Sequence, residues 1–402
     1  MKQAGPCNRR QGRERRGVSA ADLYIPMIAL IVSACAPSEG GLPTLPLDAA
    51  AHADAADAVV LAEPVTSVLW QGGEGGYLVY RIPSLIEAPS GALLAFAEGR
   101  QSLFDHGNID IVLKRSIDGG KTWGSAQVVV DQGEDTAGNP APVVDPQTKR
   151  IWLPFCTNPG QEDQDRHVWL TYSDDDGLNW SKSKDITSEV KMPDWSWYAT
   201  GPGRSIALLS GRLVVPANHV DAKGVGRSHI FYSDDHGLSW KLGGVAAPQT
   251  DESQVAELLN GDLLLSSRYE GPVFARGFSR STDRGLNWGP LSLPAELPDP
   301  HCQGSLLQTE DGLLISHPAT TQKVPRDHLT VRWSGDGGLT WPAARLLDAG
   351  PSAYSALARL PDGRVAIAWE SGAVLPYDRI LFTVFSIDWL KAAQAGPGQA
   401  QP

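Results

Sequence analysis

Four arginines (Arg81, Arg100, Arg268 and Arg326), three carboxylates (Asp105, Glu252 and Glu370) and one phenol (Tyr354) stand at related places along this 402-residue chain. Guanidinium is planar, permanently charged and able to donate two parallel hydrogen bonds, so a local cluster of arginines suits a small anion. Carboxylates and a phenol within reach of that anion would add groups able to exchange protons or attack. A lone arginine or aspartate is ordinarily a solvated loop residue. What gives this set weight is its position relative to two interleaved repeats.

The first repeat has the form Ser-x-Asp-x-Gly-x-(Thr/Asn/Ser)-Trp. It occurs at Ser116–Trp123, Ser173–Trp180, Ser233–Trp240, Ser281–Trp288 and Ser334–Trp341, stepping by about 54 residues, a period suited to propeller blades. An Asp that bonds its own turn amides, a Gly that tolerates positive φ and a Trp that packs make a self-satisfied turn. Each copy holds one acid at a fixed point and all copies are equivalent, so these aspartates are structural rather than metal-binding or catalytic. Trp123, Trp180, Trp240, Trp288 and Trp341 are packing residues, not sugar platforms. The second repeat is a turn between apolar strands at Pro89-Ser90-Gly91, Asp145-Pro146-Gln147, Ser210-Gly211, Asn260-Gly261, Asp311-Gly312 and Asp362-Gly363. Six hairpins and five boxes imply an all-β fold: a six-bladed β-propeller of four-stranded antiparallel blades, one closed jointly by both ends of the chain.

In such a blade the hairpin turns and the boxes share one face. The other face carries the starts of the first strands, the ends of the second and the loops to the third. Arg81 lies ten residues before Gly91, while Glu252 and Tyr354 each lie nine before Gly261 and Gly363. Arg100 lies nine after Gly91, and Arg268 and Glu370 lie seven after Gly261 and Gly363. Asp105 falls in the loop after Arg100, and Arg326 opens a third strand eight residues before Ser334. Register thus gathers all of them at one mouth of the toroid.

The remaining sequence sets bounds. Apolar residues make up 42% and charged residues 20%, with 42 Gly and 30 Pro, a turn-rich soluble composition. A net charge of -12 argues against nucleic acid or bulk anionic surfaces as partners, though not against a small anion held by a local basic cluster. The four cysteines have no metal-ligand spacing, so no metal is expected, and Cys156 and Cys302 read as buried thiols. Arg9, Arg10, Arg13, Arg15 and Arg16 precede an apolar run from Leu23 to Ala34, the layout of a secretory signal. Its end, Val32-Ser33-Ala34-Cys35, resembles a bacterial lipoprotein signal, with Cys35 as the lipidated residue. The expected organisation is a signal over 1–35, a flexible tether over 36–64, the propeller over 65–390 and a disordered tail over 391–402. The protein is then exported and lipid-anchored at a bacterial envelope, or otherwise periplasmic or secreted.

Tyr80-Arg81-Ile82-Pro83 followed by five boxes resembles the sialidase (neuraminidase) family. Ala97-Glu98-Gly99-Arg100 with Asp105, Asp251-Glu252-Ser253-Gln254-Val255 before Ser267-Arg268, and Ala353-Tyr354-Ser355 before Trp369-Glu370 extend the likeness over residues 65–390. The resemblance implies that Arg81, Arg268 and Arg326 clamp the substrate carboxylate, and that Asp105 is general acid and then base. It makes Tyr354 the nucleophile with Glu252 as its base, has Glu370 orient Arg81, and lets Arg100 line the pocket. It implies retaining hydrolysis of terminal α-linked sialic acid on glycoproteins, glycolipids or oligosaccharides, without cofactor; the expected state is a monomer, which the sequence itself does not fix. Partial burial should then raise the Asp105 pKa. Arg332, Arg115 and Arg280 adjoin boxes and Glu257 lies within a strand, so these read as structural, Arg332 as paired with a neighbouring acid. Asn139, Tyr198–Gly201 and Asn218 are candidates for an acetamido pocket. The alternatives are trans-sialylation, a related sugar acid such as a deaminated sialic acid, or a non-catalytic sialic-acid-binding propeller.

Overall fold

The computed structural model describes residues 63–158 and 166–392. The expected signal over 1–35 with Cys35, the tether up to residue 62 and the tail from residue 393 lie outside the described residues.

The regular structure of the described residues is almost entirely antiparallel strand. β1 (Ser67–Gln71) comes first and pairs last. A first group holds β2 (Val79–Glu87), β3 (Leu93–Arg100), β4 (Ile109–Ser116) and β5 (Gln127–Val130). The second holds β6 (Thr136–Gly138), β7 (Val143–Val144), β8 (Ile151–Asn158), β9 (His167–Ser173) and β10 (Lys184–Asp185), followed by the short α1 (Thr187–Val190). The third holds β11 (Tyr198–Thr200), β12 (Ile206–Ala207), β13 (Leu213–Val220), β14 (Gly226–Ser233) and β15 (Lys241–Pro248). The fourth holds β16 (Thr250–Glu257), β17 (Leu263–Tyr269) and β18 (Gly277–Ser281), its outer edge reduced to a bridge between Phe278 and Ser292. β19 (Ser305–Thr309), β20 (Gly312–Pro318) and β21 (Asp327–Ser334) meet the first half of the long β22 (Ala343–Arg359). The second half of β22 starts the last group, with β23 (Val365–Ser371), β24 (Arg379–Phe385) and returning β1; α2 (Ile387–Lys391) follows.

Apolar clusters lie between successive groups and close the circle. Phe96 and Ile111 meet Ile151 and Phe155; Trp152 and Leu170 meet Leu213 and Phe231. Val214 and Ile230 meet Val255 and Leu265; Leu264 and Phe278 meet Leu306 and Ile315. Leu314 and Val331 meet Leu357 and Ile367. Finally Leu85 and Leu93 of the first group meet Ala356, Ala366 and Ile380 of the last. Strands covered on both faces read as continuous apolar runs, and β3 and β8 are buried throughout. The fold is an all-β propeller.

The boxes are turns, as their chemistry dictates. In one, the Ser233 hydroxyl donates to Asp235 Oδ1 at 2.8 Å and accepts from Gly237 N at 2.8 Å, while Asp235 accepts from the Ser239 amide and hydroxyl at 2.9 and 2.6 Å. Gly237 has φ +86°, and a Cβ there would lie 2.3 Å from the Trp152 ring, so both conformation and space require glycine. Trp240 packs edge-on against Phe231 and Trp152.

Two features depart from simple four-stranded units. β4 adds a parallel bridge to β6, and β22 runs through two groups, fusing neighbours into continuous sheets. The inner strands of the second and third groups are each broken in two, at Pro140 and Pro142 and at Gly201-Pro202, because proline cannot donate to a ladder. At the seam, Thr383 donates to the Val65 carbonyl at 2.9 Å, and the Trp389 indole donates to Glu63 at 3.1 Å.

Trp70 of β1 stacks on Tyr80 at 4.8 Å and receives the Lys114 ammonium at 4.6 Å from its ring centroid, so the closing strand is anchored by one buried indole. Trp70→Ala is expected to cost about 3–5 kcal/mol in urea unfolding, the range for large-to-small changes in a packed core.

Candidate active site

Three inner strands carry the same irregularity at the mouth opposite the boxes. Register shifts between Arg81 and Ser84 in β2, between Thr250 and Ser253 in β16, and between Ser352 and Ser355 in β22. A bulge bends its strand and re-aims a side chain. Here it turns Arg81, Glu252 and Tyr354, whose offsets from the hairpin turns nearly match, towards a common centre. The ends of the second strands add Arg100, Arg268 and Glu370, and Asp105 comes from the loop between β3 and β4.

Tyr354 is the hub. Its hydroxyl donates to Glu252, with Oε1 at 2.6 Å and Oε2 at 2.7 Å. Arg268 Nη1 reaches Glu252 Oε2 at 3.0 Å and the Tyr354 oxygen at 3.3 Å. The Arg81 and Arg326 guanidiniums stand 5.2 and 5.8 Å from the Tyr354 ring centroid. Burial first, then the Glu252 charge, push the phenol well above its ordinary range, against the opposing arginines. The phenol therefore rests neutral, donating its hydrogen bond to Glu252.

Arg81 is fixed from behind. Glu370, fully buried, accepts from Arg81 Nε at 3.1 Å and Nη2 at 3.3 Å. The same carboxylate accepts from the Ile82 and Tyr354 amides at 2.9 and 3.2 Å. The positive φ of Ile82, 56°, belongs to the bulge that turns its amide inward.

The surroundings of Asp105 differ from the expectation. Its side chain is 65% exposed on the lip, and its Oδ1 accepts from Arg100 Nη1 at 2.6 Å and from Arg81 Nη1 at 3.4 Å. Desolvation in the cleft raises its pKa, but the charges of Arg100 and Arg81 outweigh it, and the carboxyl is held below its ordinary value rather than lifted. Arg100 is held in turn by Glu98, whose Oε2 lies 2.8 Å from its Nε.

A cavity of about 240 Å³ opens among these groups, lined by Asp105, Arg100, Glu252, Arg268 and Tyr354 together with Ile82, Glu98, Thr136, Asn139, Arg166, Trp197, Ala199, Asn218 and Asp251. Arg81 and Arg326 are not among the lining residues but stand against the Tyr354 ring. Of the acetamido candidates, Asn139, Ala199 and Asn218 line the cavity. Tyr198 does not: it is buried in the core against Trp195 and His229. A larger cavity of about 610 Å³ lies at the box face beside Gly119–Lys121 and Trp389, without the convergent ion pairs.

Several lining residues carry no role in the sequence reading. Arg166 donates to Asn139 Oδ1 at 2.8 Å and lies 3.7 Å from the Trp197 ring centroid, and the Trp197 indole donates to Asn218 at 3.0 Å. Arg166 had a signal: it precedes Ser173 by seven residues, close to the offset of Arg326 from Ser334. Asp251, beside Glu252, is pushed up to about 6 by burial, with the Glu252 and Glu270 charges adding and Arg268 opposing. The residues set aside are structural. Arg115 and Arg280 donate to the carbonyls of Asp176 and Gly337, and Glu257 accepts from the Leu209 amide. Arg332 lies on β21 near the box face, where the charge of a neighbouring acid, Glu296, reaches it, although among the described residues it forms no ion pair within 4.0 Å. Cys156 and Cys302 are free, buried thiols.

A family model described as BNR repeat-like domain matches residues 91–367. A sialidase of Micromonospora viridifaciens is 33% identical over 351 residues, covering 79% of this chain and 53% of that one. Sialidase-3 of Mus musculus is 31% identical over 400 residues, covering 80% of this chain and 94% of that one. The solved structure of Hadza microbial sialidase Hz136 superposes with a TM-score of 0.74 at 30% identity, covering 81% of this chain and 69% of that chain. The chain thus spans about half the length of the Micromonospora relative.

Glu370→Ala would leave the buried Arg81 guanidinium without its main partner. A loss of about 3–5 kcal/mol in urea unfolding is expected, the cost of breaking a buried pair from one side.

Proposed function

We propose that this chain, which belongs to the sialidase family and carries its BNR repeat-like domain, hydrolyses terminal α-linked sialic acid from glycoproteins, glycolipids or oligosaccharides with retention of configuration. The observation that carries the reading is the Tyr354 hydroxyl seated on Glu252 at 2.6 Å beside Arg268.

The substrate explains why a phenol stands where most glycosidases place a carboxylate. The anomeric carbon of sialic acid bears a carboxylate that would repel an anionic nucleophile, and sialidases are an exception to the two-carboxylate scheme. Arg81, Arg268 and Arg326 hold the substrate carboxylate. Glu252 takes the Tyr354 proton as the phenol oxygen attacks the anomeric carbon, and Arg268 stabilises the developing phenolate. Asp105 gives its proton to the departing glycosidic oxygen. In the second half Asp105 accepts a proton from water, the water oxygen displaces the tyrosine, and Glu252 returns the proton to the phenolate. Two inversions give net retention. Arg100 lines the pocket and holds Asp105; Glu370 orients Arg81.

Asp105 must be protonated to act as acid, yet in the free protein Arg100 and Arg81 favour its ionised form. A substrate carboxylate on Arg81 cancels part of that positive charge. The ionised form of Asp105 is then less favoured, and its pKa rises on binding. The basic limb of the kcat profile, which reports the bound state, is therefore expected at higher pH than that of kcat/KM, which reports the free enzyme. Coincident limbs would contradict this role for Arg81 and Asp105.

The direct test is release of free sugar from a fluorogenic α-sialoside. Tyr354→Phe is expected to lower kcat at least about a thousandfold while the fold is kept, the scale seen when a nucleophile is removed. Undiminished turnover would discard this mechanism and keep the activity; a folded wild type that binds sialic acid without turnover would make the protein a lectin. Export and anchoring through Cys35 follow from the leader sequence alone, and incorporation of labelled fatty acid that is lost in Cys35→Ser is the expected result.

A further inference from the structure

Arg268 and Arg326 approach the Tyr354 ring from different groups of strands and share no direct bond. One residue touches the supports of both. His301 Nδ1 lies 3.2 Å from Glu270 Oε2, and Glu270 Oε1 accepts from Arg268 Nε at 2.5 Å. The His301 carbonyl accepts from Arg326 Nη2 at 2.9 Å. A carboxylate only accepts, so the contact with Glu270 places a proton on His301 Nδ1.

The geometry points to His301 as a positioning residue that couples two arginines of the carboxylate clamp, its ring acting through Glu270 on Arg268 and its backbone oxygen on Arg326. This rests on the sialidase reading of the site and adds to it how the clamp keeps its spacing for a planar carboxylate. His301 has φ +57°, the left-handed region that few residues other than Gly, Asn, Asp and His adopt. That conformation presents the ring to Glu270, the partner of Arg268, and the carbonyl to Arg326 at once. The segment that carries it has no regular strand and is fastened instead: Asp299 accepts from the Cys302 amide at 2.9 Å, Arg276 pairs with Asp299 at 3.3 Å, and Phe274 lies 4.6 Å from the His301 ring. Asp251, 3.8 Å from Arg268, is too distant to replace Glu270 as a hydrogen-bond partner.

The link is specific to carboxylate recognition, so its removal should be felt by a ligand that carries the carboxylate and not by one that lacks the charge. The probes are N-acetylneuraminic acid and its methyl ester, with binding measured calorimetrically to the full chain. His301→Ala is expected to weaken the acid about tenfold, or about 1.4 kcal/mol, and the ester less than twofold. His301→Asn keeps a donor at the δ position and tolerates the left-handed backbone, so it should restore most of the loss. Glu270→Gln approaches the same link from the other side and carries the test if His301→Ala does not fold. Equal weakening of acid and ester, or an Asn variant no better than Ala, would overturn the coupling alone. A folded wild type that binds neither probe would overturn the substrate reading, and the coupling with it.

Discussion

One buried carboxylate holds the mouth of this propeller together. Glu370 accepts four hydrogen bonds, two from the Arg81 guanidinium and one each from the Ile82 and Tyr354 amides. The donors lie on β2 in the first group of strands and β22 in the last. Its contribution is geometric more than energetic, since a buried ion pair roughly breaks even against desolvation. With all four donors satisfied, both bulges have one conformation, and the distance between Arg81 and the Tyr354 ring follows from it. The fixed arginine in turn sets where an anion sits and biases Asp105.

The bulges explain why the repeat could be read for position but not for aim. Arg81, Glu252 and Tyr354 stand nine or ten residues before a turn glycine, and that count placed them at the correct end of their strands. An inner strand without a bulge would alternate its side chains between the two faces of its sheet. The register shifts that turn them inward depend on cross-strand partners and leave no mark in the spacing. The boxes were legible because their bonds are local, each closed within eight residues. The fused sheets, and the breaks of two inner strands at Pro140, Pro142 and Pro202, were not read from the spacing.

The groups that escaped the sequence share a different property. His301 lies in an irregular stretch between β18 and β19 where no repeat provides a ruler, and Glu270 sits one residue past the end of β17. Asp105 was placed correctly in its loop, but its charge environment depends on how that loop folds back over Arg100. Desolvation in the cleft alone would have raised its pKa; two guanidiniums reverse the sign. Sequence offsets locate residues on elements, and only three-dimensional distances settle which of two opposing electrostatic effects wins.

The ring is closed by non-covalent pairing of β1 with β24, and the site straddles the same junction. Arg81, Arg100 and Asp105 belong to the group that follows the seam, Tyr354 and Glu370 to the group that precedes it. Any opening there separates nucleophile from acid while most of the toroid keeps its hydrogen bonds. Function is therefore more sensitive to fraying at this joint than the fold as a whole is.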